Sequence, residues 1–186
     1  MSQMKSLLKK YPWLIFSFIA FLVFVQFNWS YPITILDEAK NSEAAREMLE
    51  TGNWFYPTFN EVIRTDKPPL HYFFMALGYL IFGVGPFGAR FFSAFFGALT
   101  FYMIVKQTAR ELENKTAIYS GLTFVSSLLF AHEFHMAVPD PYLIFTVTWA
   151  IVSFYRFEKE SSKSHLWTAY IAIGLGLLAK GPIAAV

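Results

Sequence analysis

Four ionisable side chains stand where a mostly apolar chain has little reason to carry charge. They are Asp37 in Leu36-Asp37-Glu38-Ala39-Lys40, Lys67 in Asp66-Lys67-Pro68-Pro69-Leu70, Asp140 between Pro139 and Pro141, and Lys180 at the end of a long apolar run. A carboxylate at a membrane–water boundary can take a proton from a hydroxyl or an amine. A Lys beside a helix start can hold a phosphate, because the ammonium and the free N–H groups of the first turn both favour an anion. Pro68 and Pro69 remove two of those donors, which leaves the ammonium as the main attraction. Two acids and two lysines are thus the parts needed to deprotonate an acceptor and stabilise a departing phosphate. Each also has a plainer reading. Asp37 and Asp140 are good helix caps, and Lys67 and Lys180 are long enough to snorkel to an interface. Lys40, three residues past Asp37, is either a further phosphate contact or a solvated helix charge. Glu38 reads as a first-turn acid suited to the helix dipole, and Asp66 as a partner for Lys67 or Arg64.

Other chemistries are poorly supplied. The chain has no Cys, so it offers no disulfide framework, no thiol nucleophile and no Cys-type zinc site. His132, Glu133 and His135 are metal-ligating types, but three such residues within four positions match no known metal spacing and read as interfacial polar anchors. The net charge of +2 is small and the basic residues are dispersed, which excludes a nucleic-acid partner.

The elements that must position these groups belong to a membrane protein. The 186 residues are 55% hydrophobic and only 15% charged, with 22 Phe, and several segments are apolar on every face. Residues 12–29 are long enough to span once, after a short basic start containing Lys5, Lys9 and Lys10. They lack a small-residue cleavage site, so a retained anchor is expected rather than a signal peptide. Residues 31–90 form a loop with two juxtamembrane helices, one from Asp37 to about Glu50 that stops at Gly52, and one over 70–82 that is too short to cross comfortably. Further spans are expected at about 91–105, 117–131, 142–155 and 166–182, giving an all-α integral membrane protein with about five transmembrane helices. If 70–82 does not cross, the segments 1–11, 106–115 and 156–165 share one side. Those segments hold nine of the fifteen Lys and Arg, which makes that side cytoplasmic. The N-terminus is then cytoplasmic, and Asp37, Lys67, Asp140 and Lys180 all face outward.

The motifs LDEAK, GNWFYPTFN, DKPPLHY, GARFFSAFFGALT, AVPDPYLIF and GLGLLAKGP, in this order after one N-terminal span, resemble the N-terminal part of polyprenyl-phosphate-sugar glycosyltransferases of the GT-C fold. The similarity is to the bacterial branch containing the lipid A aminoarabinose transferase, related to the protein O-mannosyltransferases. It implies Asp37 and Asp140 as catalytic acids of the two loops, with Asp37 activating the acceptor. It implies Lys67, Lys40 and Lys180 as donor-phosphate contacts, with Glu38 and Asp66 in support. Lys40 stands where the family often has Arg, which keeps the charge but not a bidentate contact. Asp66 stands where Glu is common, and a divalent metal there stays an open question; no other cofactor is implied. The implied reaction is an inverting transfer of a sugar from a polyprenyl-phosphate donor to a lipid or protein acceptor, on the outer face of a bacterial inner membrane. Family members have many more spans, so the isolated 186 residues are expected to be inactive. The alternative from another class is a multi-span transporter or proton relay using Asp37 and Asp140. It requires those acids deep within opposed spans.

Overall fold

The computed structural model describes residues 12–33 and 36–185. The basic residues that orient the N-terminus, Lys5, Lys9 and Lys10, lie outside them. Among the described residues the chain is almost entirely helical: α1 (Pro12–Val25), α2 (Leu36–Thr51), α3 (Leu70–Phe82), α4 (Pro86–Glu111), α5 (Asn114–Ser126), α6 (Leu128–Glu133), α7 (Asp140–Glu160) and α8 (Lys163–Lys180), closed by a 3-10 turn at Gly181–Ala185. Two helical stretches, Pro86–Glu111 and Lys163–Ala185, are long and apolar enough to cross a membrane, and α1 and α3 are shorter apolar helices.

Helix α4 is the central post. It packs against α1, α3, α5 and α7, while α8 packs mainly on α7. Pro at its first turn, just after Gly85, gives α4 a defined start, and at 26 residues it is longer at both ends than its apolar stretch suggests. Close packing on α3 depends on glycine: a Cβ at Gly78 would lie 2.1 Å from the Gly88 carbonyl oxygen. The core beside α1 is aromatic, built from Phe24, Phe101, Phe124 and Phe134. A Cβ at Gly97 would strike the Phe134 ring at 2.6 Å, so the side chain missing there is the space Phe134 occupies.

Where a single span over 117–131 is expected, the helix breaks. Ser127 is extended (φ −69°, ψ 120°), and α6 restarts for one and a half turns as a separate segment. The apolar run continues through the break, so hydropathy does not mark it. Helix α7 ends in a left-handed Ser161 whose N–H returns to the Phe157 carbonyl, and α8 follows after two residues.

The loop between α2 and α3 carries a small antiparallel hairpin, β1 (Thr58–Phe59) with β2 (Val62–Ile63). Its two-residue turn, Asn60-Glu61, has positive φ at both positions (52° and 64°), the geometry that matches strand twist. The hairpin is tied to α2 by Glu47. That buried carboxylate accepts from the Asn60 N–H at 2.7 Å and from the Thr58 hydroxyl. This clamp returns the chain to the start of α2, where Arg64 to Lys67 come alongside Asp37.

Candidate active site

Asp37 sits in the first turn of α2. Its carboxylate is 3.2 Å from the Lys67 ammonium, with the Arg64 guanidinium 3.9 Å away on the other oxygen. Asp37 is therefore held in an ionic contact across thirty residues, from within the first turn and not from the cap position expected of it. Arg64 also donates twice to Asp66, at 2.6 and 3.1 Å. That guanidinium holds the Asp66 carboxyl below the usual carboxylate range. Both Asp66 oxygens are thus engaged. Among the described residues no group of three or more His, Asp or Glu is arranged to hold a metal ion. Lys40 pairs with neither acid. It lines a groove of about 480 Å³ along the hairpin, with Arg64 and Asp66.

The second pair lies at the first residue of α7 and the last of α8: Lys180 Nζ donates to Asp140 at 2.5 Å. Glu133, at the end of α6, joins this pair. Burial, and then the neighbouring Asp140, push its carboxyl up. The sequence reading set Glu133 aside with its histidines. The local signal for the break before α6 was the Ser126-Ser127 pair, which the sequence reading passed over.

Two contacts bring the pairs to the same end of the bundle. The Ala137 N–H, three residues before Asp140, donates to Glu38 at 2.8 Å, and Asn41 donates to the Ala137 carbonyl at 3.3 Å. On the other flank, a side chain placed at Gly181 would reach the Pro68 ring at 4.0 Å. All four residues first singled out thus stand at one end of the bundle, at or just before helix ends. None lies in mid-span, where a relay would place the acids.

Glu38 corrects its sequence reading. It is in the first turn, as expected, but the helix dipole is not its main partner: its side chain is 1% exposed and grips Arg90 of α4 at 2.6 and 2.7 Å. Arg90 also donates to the Tyr31 carbonyl at 2.8 Å and to those of Asn28 and Pro32 at 3.2 and 3.3 Å. One buried guanidinium thus joins the exit of α1, the start of α2 and, through Glu38, the segment before Asp140. Sequence reasoning passed over Arg90. The available signal was a lone Arg at the head of an apolar helix, which is costly unless it is paired.

Behind Lys67, His71 is fully buried against Tyr72, with ring centroids 3.8 Å apart, and neither ring nitrogen has a partner. Burial first, then Lys67 and Arg64, push its pKa from 6.5 down to about 3. The unfolded chain takes up a proton below about pH 6.5 and the folded one does not until about 3, so stability falls as pH drops through that window. Wild-type protein is expected to lose several degrees of Tm in detergent between pH 7.5 and pH 5, and His71→Gln much less. Identical pH dependence of the two would remove His71 as the cause.

Comparison with known proteins shows the family and the fold. The family model described as dolichyl-phosphate-mannose-protein mannosyltransferase matches residues 66–186. The undecaprenyl phosphate-alpha-4-amino-4-deoxy-L-arabinose arabinosyl transferases of Enterobacter sp. (strain 638) and Yersinia pestis (strain Pestoides F) are each 33% identical over 153 residues, 80% of this chain and 28% of theirs. The crystal structure of ArnT from Cupriavidus metallidurans bound to undecaprenyl phosphate superposes with a TM-score of 0.85 at 22% identity, over 94% of this chain and 34% of that one. The chain spans about a third of the length of these relatives. A helical membrane scaffold with acids and lysines gathered at one end is thus the GT-C glycosyltransferase fold, and the all-α integral membrane class expected from the sequence holds. Within that class, the chain belongs to the dolichyl-phosphate-mannose-protein mannosyltransferase family.

Proposed function

We propose that this chain carries the catalytic loops of an inverting glycosyltransferase, which moves a sugar from a polyprenyl-phosphate donor to a lipid or protein acceptor at the outer face of a bacterial inner membrane. The observation that carries the reading is the pair of acid–lysine contacts, Asp37–Lys67 and Asp140–Lys180, at one end of the bundle. Family membership and the bound ligand named for the Cupriavidus ArnT structure support a polyprenyl-phosphate donor.

In this reading the donor phosphate takes the Lys67 ammonium from Asp37. Lys40 and Lys180 add positive charge around the departing phosphate, where charge builds in the transition state. Asp37, released from Lys67, removes the acceptor proton as the acceptor oxygen or nitrogen attacks the anomeric carbon. The bond to phosphate breaks as the new glycosidic bond forms, so the configuration inverts. Asp140 orients the acceptor, and Glu38 and Asp66 hold the first loop in place through Arg90 and Arg64.

The reading requires both pairs to face the same side of the membrane. The absence of Cys permits a direct test with Glu50→Cys, His132→Cys and Ser164→Cys, all exposed positions. In intact cells a membrane-impermeant maleimide is expected to label the first two and not the third. Labelling at Ser164 with protection at His132 would put Asp140 and Asp37 on opposite sides and end the proposal.

A further inference from the structure

The other end of the bundle carries a polar level of its own. Sixteen residues separate Arg90 from Lys106 on α4 and Asp140 from Arg156 on α7. At the helical rise that is about 24 Å, close to a hydrocarbon thickness. Between α4, α7 and α8 at that level lies a pocket of about 270 Å³. Lys106, Arg156 and His165 line it together with Met103, Trp149 and Val152.

Two of the acids at this level are engaged by other side chains. Glu111 accepts from Lys159 and the Tyr155 hydroxyl, and Glu160 from Arg110 and His165. Lys106 and Arg156 have no carboxylate partner among the described residues. Lys106 donates to the Tyr102 hydroxyl at 2.8 Å, and Arg156 Nε to the Gln107 side chain at 3.1 Å. Two cations without a carboxylate partner therefore share one pocket that apolar side chains also line.

The geometry points to a binding site for an anionic phospholipid, its phosphate between Lys106 and Arg156 and the start of an acyl chain against Met103, Val152 and Trp149. A guanidinium whose Nε is fixed by Gln107 presents its remaining N–H groups as a fork suited to phosphate. Basic pockets between helices at the membrane surface take such head groups. The site is independent of the catalytic reading and lies at the opposite end of the bundle from it.

The test counts lipids retained by the full chain in native mass spectrometry, titrating phosphatidylglycerol against phosphatidylcholine. Phosphatidylglycerol is expected to stay bound and phosphatidylcholine to be lost. Lys106→Gln with Arg156→Gln is expected to weaken phosphatidylglycerol retention by roughly tenfold or more. Lys115→Gln with Lys163→Gln, the same change in charge outside the pocket, is expected to leave it intact. Equal loss in both double variants would reduce the effect to general surface attraction and overturn the proposal. Displacement by millimolar inorganic phosphate would make it a free-anion site, and preferential retention of undecaprenyl phosphate would make it a donor-lipid site; either outcome overturns it. Lys106 is exposed, so Lys106→Gln alone covers the case in which the double variant fails to fold; unchanged retention there also overturns the proposal.

Discussion

Asp37→Asn in the complete enzyme is expected to cut sugar transfer by at least about 100-fold, the usual weight of a positioned general base. Amide for carboxylate keeps the shape and the membrane insertion, and removes both the proton acceptor and the ionic partner of Lys67. Donor affinity should therefore hold or rise, since the phosphate no longer competes with Asp37 for the ammonium. Lys67→Met should do the reverse, weakening donor binding first. Measuring KM for the donor and kcat in both variants separates the two roles. Turnover of Asp37→Asn at wild-type rates would remove Asp37 as the base, and a loss confined to donor KM would make it a binding residue.

The second large effect is structural. Glu38→Gln leaves the Arg90 guanidinium buried without a counter-charge, and breaking such a pair costs about 3–5 kcal/mol. The variant is expected to yield little folded protein in detergent. Arg90→Met alone should fare as badly, because it strands the Glu38 carboxylate. Combining Arg90→Met with Glu38→Leu should recover part of the loss, since no unpaired charge remains. The three backbone carbonyls that Arg90 serves keep the recovery incomplete. Recovery is measured as folded yield and Tm. A Glu38→Gln protein as stable as wild type would show that the pair does not hold the loop.

Much of the candidate site was legible because its signals are local. Asp37 and Asp140 are charges set beside apolar runs, and Lys67 precedes a Pro-Pro helix start. Gly52, at φ 69°, ends α2 where a glycine past a helix is expected to. The pairings were not legible. Glu38 finds Arg90 at a separation of 52 residues and Ala137 at 99, and no periodicity carries that information. Glu47 went unremarked, since its partners, the Thr58 hydroxyl and the Asn60 N–H, belong to a hairpin too short to register as strands. The break at Ser127 interrupts a run that is apolar on both sides, so the exposure of Glu133 to Asp140 had no signature in hydropathy. Propensity and burial patterns mark where elements stand. The contacts between loops depend on which elements happen to meet.

The reach of the Glu38 contacts sets a timetable for the nascent chain. At roughly 5–20 residues per second, Ala137 emerges on the order of ten seconds after Glu38. Until then α2 has only part of its anchorage, and the first loop waits in water as a loosely held segment. That end of the bundle is therefore assembled late, once the segment leading into α7 has been delivered, and a pause or cleavage before residue 137 would leave inserted helices without the Glu38–Ala137 tie.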